Sequence, residues 1–459
     1  MTLPLPDTLT TSHPLTVVGA GYVGLTLATG LATHGHKVLL VEACPHRLAA
    51  LQQGVSPLAE VGLQEAYAKV WATGQLTLCP HAQWQPATDP AVVVFIAVGT
   101  PTEATSPQLD TAALWSVVRH IAQTAQSTKG LVIKSTIPVG TTQAVAEFLA
   151  EQPPYLPQHS VAHMPEFLSQ GQAWHDTLHP QRLVIGTEDA SLIALLRHVF
   201  SPWLAQGNVP WLAMSPASAE VGKLAANATL ASRVAMTNTL HSLVQATPTA
   251  HWPSVAQLLQ SDARLAGWGW QPSLGFGGSC LPKDTLALAQ HAHTVGVEPT
   301  MLDATLATNS HRLANTLATL NQWRQQHPNP VIGVLGLTFK AGSDDLRASA
   351  AMALVQAMLA QGMIVLAHDP TVTAERLALA LPQTEGLQVA SSAQQVLAQA
   401  GAIVLATPWP LYLKPDLWQG LPATTLVIDV GQSLPAPSFK SAPWPWLTQA
   451  TPQVQVSLP

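Results

Sequence analysis

The sequence contains little charge, and no part of it is strongly basic. Charged residues make up 10% of the 459 residues, and the net charge is -6. This balance argues against nucleic acid or an anionic membrane surface as the main partner. Because charges are so scarce, each charge inside an apolar stretch is informative.

Cysteines and long apolar runs are also scarce. Three cysteines, at positions 44, 79 and 280, are too few and too scattered for a disulfide framework or a zinc cluster. The 18 histidines show no metal-ligand spacing, so we expect no bound metal. Glycine or charge interrupts every longer apolar stretch before the ~20 residues that a membrane span needs, and the N-terminus does not resemble a signal peptide. We therefore expect a cytoplasmic protein without a membrane partner.

Short β-rich runs alternate with helical segments in two regions of the chain. The first region contains LTVVG, KVLLVE, VVVFIAVG, LVIKST and RLVIG, and the second contains NPVIGVLGLTF, GMIVLAHDP, AIVLATP and TLVIDVG. Between them, an alanine-rich run ending near residue 246 predicts one long helix. The alternation predicts an α/β protein with two Rossmann-like, doubly wound domains joined by a long central helix.

The sequence GAGYVG directly follows the first predicted strand and opens a helix, and an acidic residue, Glu42, ends the next strand. In such a turn the glycines permit a tight bend, close approach of a pyrophosphate, and close packing of helix on strand. Glu42 suits the ribose hydroxyls of NAD and repels a 2′-phosphate, whereas the nearby Arg47 leaves NADP as an alternative. The predicted cofactor-binding residues here are Gly19, Gly21, Tyr22, Val23, Gly24, Glu42 and Arg47.

Two further polar turns follow predicted strands. Thr100 and Thr102 follow VVVFIAV, and Ser135 and Thr136 follow LVIK. Ligands of open α/β sheets bind at the carboxyl ends of the strands. We therefore expect these four residues to line the nicotinamide side of the cofactor site, although each alone is an ordinary turn.

Cys280 lies in GFGGSCLPKD, where small residues surround it and Lys283 and Asp284 follow. Three glycines permit close approach of a ligand, and a strand or helix interior has little use for them. The pattern favours a nucleophilic thiol in a tight pocket. The alternative is a small core residue, because free cysteine is often buried.

Glu220, Lys223 and Asn227 are spaced three and four residues apart on the long predicted helix, so they share one face. A solvated ion pair is the alternative to a functional face. Because the helix is otherwise apolar, we favour a site in which Lys223 and Asn227 stabilise negative charge on a reacting oxygen. In MPEFL, Glu166 stands in an apolar setting that would raise its pKa and suit a general base, or else it begins a helix.

Taken in order, these motifs resemble the UDP-glucose/GDP-mannose dehydrogenase family, the nucleotide-sugar 6-dehydrogenases. VVGAGYVG, VGTPT, KSTIPVGTT, PEFL, AEVGKLAANATLASR, DARLAG, GFGGSCLPKD and GLTFKAGSDDLRAS match its order and spacing over about residues 15–350. The resemblance implies an NAD domain over residues 1–212, a helical dimerisation domain over 213–325 and a nucleotide-sugar domain over 326–459. It implies a homodimer or higher homo-oligomer.

The resemblance also implies roles for individual residues. Cys280 would attack an aldehyde between two hydride transfers, Asp284 and Glu166 would act as acid/base groups, and Thr136 would place water. Arg264 would reach the substrate of a neighbouring subunit, while Lys283 and Arg347 would approach NAD. The implied substrate-binding residues are Glu166, Phe167, Leu168, Lys223, Asn227, Arg264, Gln271, Ser273, Gly275, Phe276, Gly277, Phe339 and Lys340.

The chain departs from the family pattern near the expected ligands. The motif PEFLREG becomes PEFLSQG here, with Ser169 and Gln170, and the last strand ends Asp429-Val430-Gly431 where the family has Asp-x-Arg. Other departures are Met164, Thr239, Ala341 and Gly342. These changes leave the implied catalytic residues intact and affect the choice and affinity of substrate.

We expect a four-electron oxidation of UDP-glucose to the uronic acid. UDP-N-acetylmannosamine, UDP-N-acetylglucosamine and GDP-mannose are alternative substrates. A single-step 6-phosphogluconate or hydroxyacid dehydrogenase would share the glycine turn but would not need Cys280. A non-catalytic binder of NAD and nucleotide sugar would need none of the reactive residues.

Overall fold

The computed structural model describes residues 12–103, 108–327, 330–381, 384–422 and 424–434. The N-terminal segment, whose sequence does not resemble a signal peptide, therefore lies almost entirely outside the described residues. The chain divides into two compact units, which we call the N-terminal unit (Met1–Ala226 and Leu286–Val297) and the C-terminal unit (Asn227–Thr285 and Glu298–Pro459).

The N-terminal unit contains an eight-stranded sheet in the order β3-β2-β1-β4-β5-β6-β7-β8. Neighbouring strands are parallel except β6 and β7, which meet in one antiparallel pairing of His163 with Gly186. The first six positions follow the Rossmann order. The strands are β1 (Pro14–Val18), β2 (Lys37–Glu42), β3 (Leu76–Pro80), β4 (Val93–Ile96), β5 (Gly130–Ile133), β6 (Ser160–His163), β7 (Leu183–Gly186) and β8 (Trp211–Met214).

Apolar clusters cover both faces of this sheet. Along β4, Val93 and Phe95 pack in one cluster, whereas Val94 and Ile96 pack in the other. Such strands are continuously apolar because a parallel sheet is buried on both faces. The helices are α1 (Tyr22–Thr33), α2 (Pro45–Gln52), α3 (Leu63–Ala72), α4 (Ala112–Thr124), α5 (Thr141–Ala150), α6 (Ala173–Leu178), α7 (Ala190–Val199) and α8 (Ser201–Leu204).

Four helices follow the first sheet in sequence. The first is a 31-residue helix that begins in the N-terminal unit and ends in the C-terminal unit. No helix in the described part of the chain has the length and apolar character needed to cross a membrane. The four helices are α9 (Pro216–Ala246), α10 (Trp252–Ser261), α11 (Leu281–Thr294) and α12 (Thr300–Arg324).

The C-terminal unit contains a second, five-stranded parallel sheet in the order β11-β10-β9-β12-β13. Three helices of this unit begin directly after Ser349, Thr373 and Ser392, whose hydroxyls accept hydrogen bonds from backbone N–H groups of the first turn. The elements are β9 (Val331–Leu335), α13 (Ala350–Ala360), β10 (Ile364–His368), α14 (Ala374–Ala380), β11 (Leu387–Val389), α15 (Ala393–Gln399), β12 (Ala402–Leu405) and β13 (Leu426–Asp429).

The predicted fold class is confirmed: both sheets are of the Rossmann type, and the long helix α9 lies between them in sequence. Strands β3, β6, β8 and β11 were not predicted. Three of these, β3, β8 and β11, are edge strands of three to five residues, and most of their residues are partly or fully exposed, so their apolar signal is weak.

Candidate active site

The glycine turn joins β1 to α1 in the geometry that its sequence predicts. A Cβ atom at Gly24 would lie 1.8 Å from the carbonyl oxygen of Gly19, so only glycine permits this packing. A Cβ at Gly21, just before α1, would meet no atom within 4 Å. The second glycine thus faces open space at the positive end of a 12-residue helix, which fits a pyrophosphate group.

Glu42 ends β2 beside this turn and is only 3% exposed. Its carboxylate accepts hydrogen bonds from the backbone N–H groups of Ala20 (2.8 Å) and Cys44 (2.6 Å), and Arg47 lies 3.3 Å away. The two N–H groups fix the carboxylate next to the open side of the turn. A fixed anion there fits the ribose hydroxyls of NAD.

The polar turns after β4 and β5 are bonded to each other. The hydroxyl of Thr100 donates to the carbonyl of Thr136 (2.7 Å), and the hydroxyl of Ser135 donates to the carbonyl of Val98 (2.6 Å). Thr102 forms an isolated bridge with Leu109. These turns lie at the carboxyl ends of strands parallel to β1, the end at which the glycine turn also lies.

Glu220 and Lys223 on α9 have different partners. The carboxylate of Glu220 accepts hydrogen bonds from the N–H groups of Gly140 and Thr142 and from the Thr142 hydroxyl, at 2.6–2.7 Å. Glu220 thus accepts hydrogen bonds from backbone N–H groups at the start of α5 that have no partner within the helix. The Lys223 ammonium is 3% exposed and lies 3.1 Å from Oε1 of Glu166.

The expectation that Glu166 has a raised pKa is wrong. Burial raises the pKa of Glu166, but the Lys223 ammonium, the Leu168 N–H (2.6 Å) and Lys134 together lower it by more than burial raises it. The net shift of the pKa is therefore downward. Glu166 is therefore an ionised carboxylate at neutral pH. Phe167, the next residue, has the Arg182 guanidinium 3.8 Å and the Lys223 ammonium 5.2 Å from its ring centre.

Three residues near Glu166 were not predicted from the sequence. Lys134 directly follows β5, His163 ends β6, and Arg182 precedes β7. Lys134 is 7% exposed and His163 is fully buried. Lys134 could have been found, because it is a charge at the end of an apolar strand in a sequence with few charges.

In the C-terminal unit, Cys280 immediately precedes α11 and is a partly buried thiol. Its sulfur lies 3.7 Å from the hydroxyl of Ser279, and its carbonyl accepts the N–H of Asp284 (2.9 Å). The backbone N–H groups at the start of a 14-residue helix favour negative charge on the sulfur. This is a position suited to a nucleophilic thiol.

Asp284 lies one turn after Cys280 and is completely buried. One carboxylate oxygen lies 2.6 Å from the Lys283 ammonium, and the other accepts a hydrogen bond from the Asn227 amide (2.5 Å). A buried carboxylate is stable only when it is paired in this way. The structure therefore brings together Asn227, Lys283 and Asp284.

The glycines before Cys280 pack closely against other parts of the C-terminal unit. A Cβ at Gly277 would lie 2.4 Å from the carbonyl oxygen of Ala348, and one at Gly278 would lie 2.8 Å from the Phe339 ring. Gly278 also has a φ of 82°, which side chains other than glycine rarely adopt. The glycine loop and Phe339-Lys340, predicted to bind one substrate, are therefore neighbours.

The loop from Gln271 to Phe276 is anchored on several sides. The N–H of Ser273 donates to Asn238 (2.9 Å), and the backbone of Phe276 bonds to the Asn309 amide through both its N–H and its carbonyl. The partly buried Arg312 donates to the carbonyls of Ser273 (3.1 Å) and Val430 (3.0 Å). Gln271, Ser273, Gly275, Phe276 and Gly277 thus form one anchored segment, and the side chain of Gln271 donates to the Gly431 carbonyl.

Arg264 and Arg347 are predicted ligand-binding residues whose side chains are largely exposed. Arg264 is 87% exposed and lies 2.6 Å from Asp262, and Arg347 is 64% exposed and lies 2.6 Å from Asp345. Each arginine therefore bonds to the aspartate two residues before it. Their roles in binding a partner's substrate and NAD stay predictions.

Comparisons with known proteins cover nearly the whole chain. Sequence models of the UDP-glucose/GDP-mannose dehydrogenase family match residues 13–204 (NAD binding domain), 217–311 (central domain) and 333–435 (UDP binding domain). A UDP-glucose 6-dehydrogenase of Rhizobium meliloti is 33% identical over 91% of this chain and 94% of its own length. Another, from Pseudomonas aeruginosa, is 34% identical over 92% of this chain and 94% of its own length.

A solved structure shows the same architecture. The structure of a UDP-glucose dehydrogenase from Pyrobaculum islandicum superimposes with a TM-score of 0.83 at 30% identity. The superposition covers 93% of this chain and 96% of that one. The likeness therefore extends over both Rossmann-type sheets and the helices between them.

Proposed function

The chain belongs to the UDP-glucose/GDP-mannose dehydrogenase family and is an NAD-dependent nucleotide-sugar dehydrogenase, and we propose that it oxidises the C6 alcohol of UDP-glucose to the carboxylate. The proposal depends mainly on one observation. Cys280 starts a helix whose first turn contains the buried Asp284, held by Asn227 and Lys283. A single-step dehydrogenase or a non-catalytic binder has no need of this arrangement.

Two residues of α9 would stabilise the oxygen on the reacting carbon. Lys223 and Asn227 stand one turn apart on this helix and supply an ammonium and an amide. Negative charge develops on that oxygen when the alcohol loses its proton and again when the thiol attacks the aldehyde. Buried donors stabilise such charge far more than water does.

Cys280 would make oxidation to the acid possible. The thiolate adds to the aldehyde carbon, and the resulting alkoxide takes a proton to give a thiohemiacetal. When bound, NAD accepts a hydride in each oxidation, so that one alcohol, two NAD⁺ and one water give one carboxylate, two NADH and three protons. Loss of the second hydride and the hydroxyl proton converts the thiohemiacetal to a thioester, and water then cleaves the thioester, returns the thiol and releases the acid.

Glu166, Asp284 and Thr136 would transfer protons and position water during this reaction. Because its pKa is lowered, Glu166 is ionised at neutral pH, so it has a free carboxylate to accept a proton and no proton to donate. Its place beside Lys223 suits activation of the hydrolytic water. Thr136, whose carbonyl is held by Thr100, would help to position that water.

UDP-glucose is the first substrate to test because the two curated relatives above are named for it. The amino-sugar nucleotides and GDP-mannose are the alternatives. The departure at Gly431 would change the nucleotide contacts, because the arginine of the family pattern is absent there. A Cβ at this position would lie 2.8 Å from the Ser433 hydroxyl and 3.1 Å from the Pro272 carbonyl. The homo-oligomer and the cytoplasmic location stay predictions, although Leu230, Met236 and Leu243 of α9 are 39–62% exposed, as an interface helix would be.

The purified protein should be assayed with NAD and a panel of nucleotide sugars, counting NADH per sugar consumed. We expect two NADH per UDP-glucose and a product that carries a new carboxylate, measured by absorbance and mass spectrometry. One NADH per sugar would identify a single-step dehydrogenase. Binding of NAD and a nucleotide sugar without production of NADH would identify a non-catalytic binder. Turnover of a different nucleotide sugar, and not of UDP-glucose, would identify that sugar as the substrate.

A further inference from the structure

Four titratable side chains of the N-terminal unit form a buried group that we call the two-lysine cluster: Lys134, His163, Glu166 and Lys223. Lys134 follows β5, His163 ends β6, Glu166 follows shortly after, and Lys223 lies on α9. Their exposed fractions are 11% or less. The cluster is thus built by three separate parts of the unit and lies at the carboxyl ends of β5 and β6.

The charges of this cluster do not cancel. Glu166 is held ionised by its neighbours, as its lowered pKa shows. Burial, together with the two lysines, lowers the pKa of His163 to about 3, so its ring is neutral. Lys134 and Lys223 both act electrostatically on the Glu166 carboxylate, so with both lysines protonated the cluster has two positive charges and one negative charge.

A surplus positive charge in a buried place has a chemical consequence. If Lys223 and Glu166 were alone, their charges would cancel, and the ammonium would have little attraction left for a developing oxyanion. A second ammonium balances Glu166 and leaves the field of Lys223 uncompensated. In a site of low polarity such a field lowers the energy of an anionic transition state.

We propose that Lys134 is a positioning residue that balances the charge of Glu166 and thereby lets Lys223 stabilise the oxygen on the reacting carbon. This inference rests on the proposed function, in which Lys223 faces that oxygen. Lys134 acts through Glu166 and need not touch substrate or cofactor.

Titration of Lys134 gives the inference a second, independent consequence. Burial lowers the pKa of Lys134 to about 8, with Glu166 opposing and Lys223 reinforcing the change. Glu166 and Lys223 act electrostatically on Lys134, and Lys134 in turn acts on His163. As pH rises through about 8, Lys134 loses its charge, the cluster becomes neutral, and kcat should fall.

A matched control lies at the other end of β5. Lys129 precedes β5 and is fully buried, and its ammonium donates to the carbonyls of Asp89 and Ala91 at 2.8 Å each. Replacing Lys129 therefore removes a buried ammonium from the opposite end of β5. Its effect measures what burial of a lysine contributes to folding alone.

The experiment compares full-length wild type, Lys134→Met, Lys134→Arg and Lys129→Met with NAD and UDP-glucose, or with whichever sugar the wild type oxidises. We expect kcat of Lys134→Met to fall about tenfold or more while KM for NAD changes less than about threefold. We expect the alkaline fall in kcat to disappear in this variant and to move to higher pH in Lys134→Arg. Lys129→Met should keep the wild-type pH profile of kcat, whatever its thermal stability.

Wild-type kcat and an unchanged alkaline limb in Lys134→Met would overturn the inference, as would the same loss of kcat in Lys129→Met. If Lys134→Met does not fold, the pH profile of Lys134→Arg decides, and an unshifted limb overturns the inference. Failure of the proposed function would look different, because the wild type itself would then release one NADH per sugar or none.

Discussion

Glu166 shows how far the neighbours of a residue can change what burial alone would do. Its setting between proline and phenylalanine suggested a carboxyl with a raised pKa, and burial does act in that direction. Two lysines from distant parts of the sequence, together with a backbone N–H, outweigh burial. Neither lysine is near Glu166 in sequence, so no local pattern could have indicated the outcome.

Cys280→Ser tests the residue on which the chemistry depends. A serine hydroxyl is a much weaker nucleophile than a thiolate, so we expect the variant to turn over at most very slowly and to leave aldehyde-level or ester-linked product. NADH counting and mass spectrometry of the protein measure this. Cys79→Ser, at a partly buried cysteine on β3, should keep kcat within about twofold. Acid formation at full rate by Cys280→Ser would contradict the thiol mechanism.

At the scale of single elements, α9 shows what spacing can and cannot predict. Its sequence correctly predicted a helix with Glu220, Lys223 and Asn227 on one polar face. The structure divides their partners among α5, the segment after β6, and the first turn of α11. Spacing along a helix determines which side chains share a face, but it contains no information about what packs opposite.

Glu220→Gln tests the role of Glu220 at the start of α5. The carboxylate accepts three hydrogen bonds, and a glutamine would turn an N–H group toward one of those donors. We expect the free energy of unfolding of the N-terminal unit to fall by about 2 kcal/mol in urea titrations. Glu147→Gln, at an exposed position on α5, should change it by less than about 0.5 kcal/mol. Equal changes in the free energy of unfolding for the two variants would show that the hydrogen bonds of Glu220 do not stabilise the unit.

At the scale of the whole molecule, buried histidines tie stability to pH. Burial, with help from neighbouring cations, lowers the pKa of His163 to about 3 and that of His241 to about 4, and the two belong to different units. The unfolded chain takes up these protons near pH 6.5, whereas the folded chain does not. The stabilisation is therefore complete above about pH 6.5 and is lost as pH falls toward these lowered values.

We expect each of these histidines to reduce the free energy of unfolding by about 2 kcal/mol between pH 7 and pH 5. Urea unfolding at the two pH values measures the change. His163→Gln should make the pH dependence of the N-terminal unit shallower, whereas His311→Gln, at an exposed position on α12, should leave it as in the wild type. An unchanged slope in His163→Gln would show that acid sensitivity arises from other groups.

The sequence by itself determined the fold class, the glycine turn with Glu42, the long helix and the motif around Cys280. These depend on short-range features: apolar periodicity, backbone freedom at glycine, and residues within one turn of each other. Only the tertiary structure decided that Glu220 accepts hydrogen bonds from the start of α5 and that Lys134 and Lys223 both act on the carboxylate of Glu166. The same holds for Arg312, which donates to the carbonyls of Ser273 and Val430. Charge interactions and hydrogen bonds act between residues that folding brings together, and their separation along the chain does not reveal the contact.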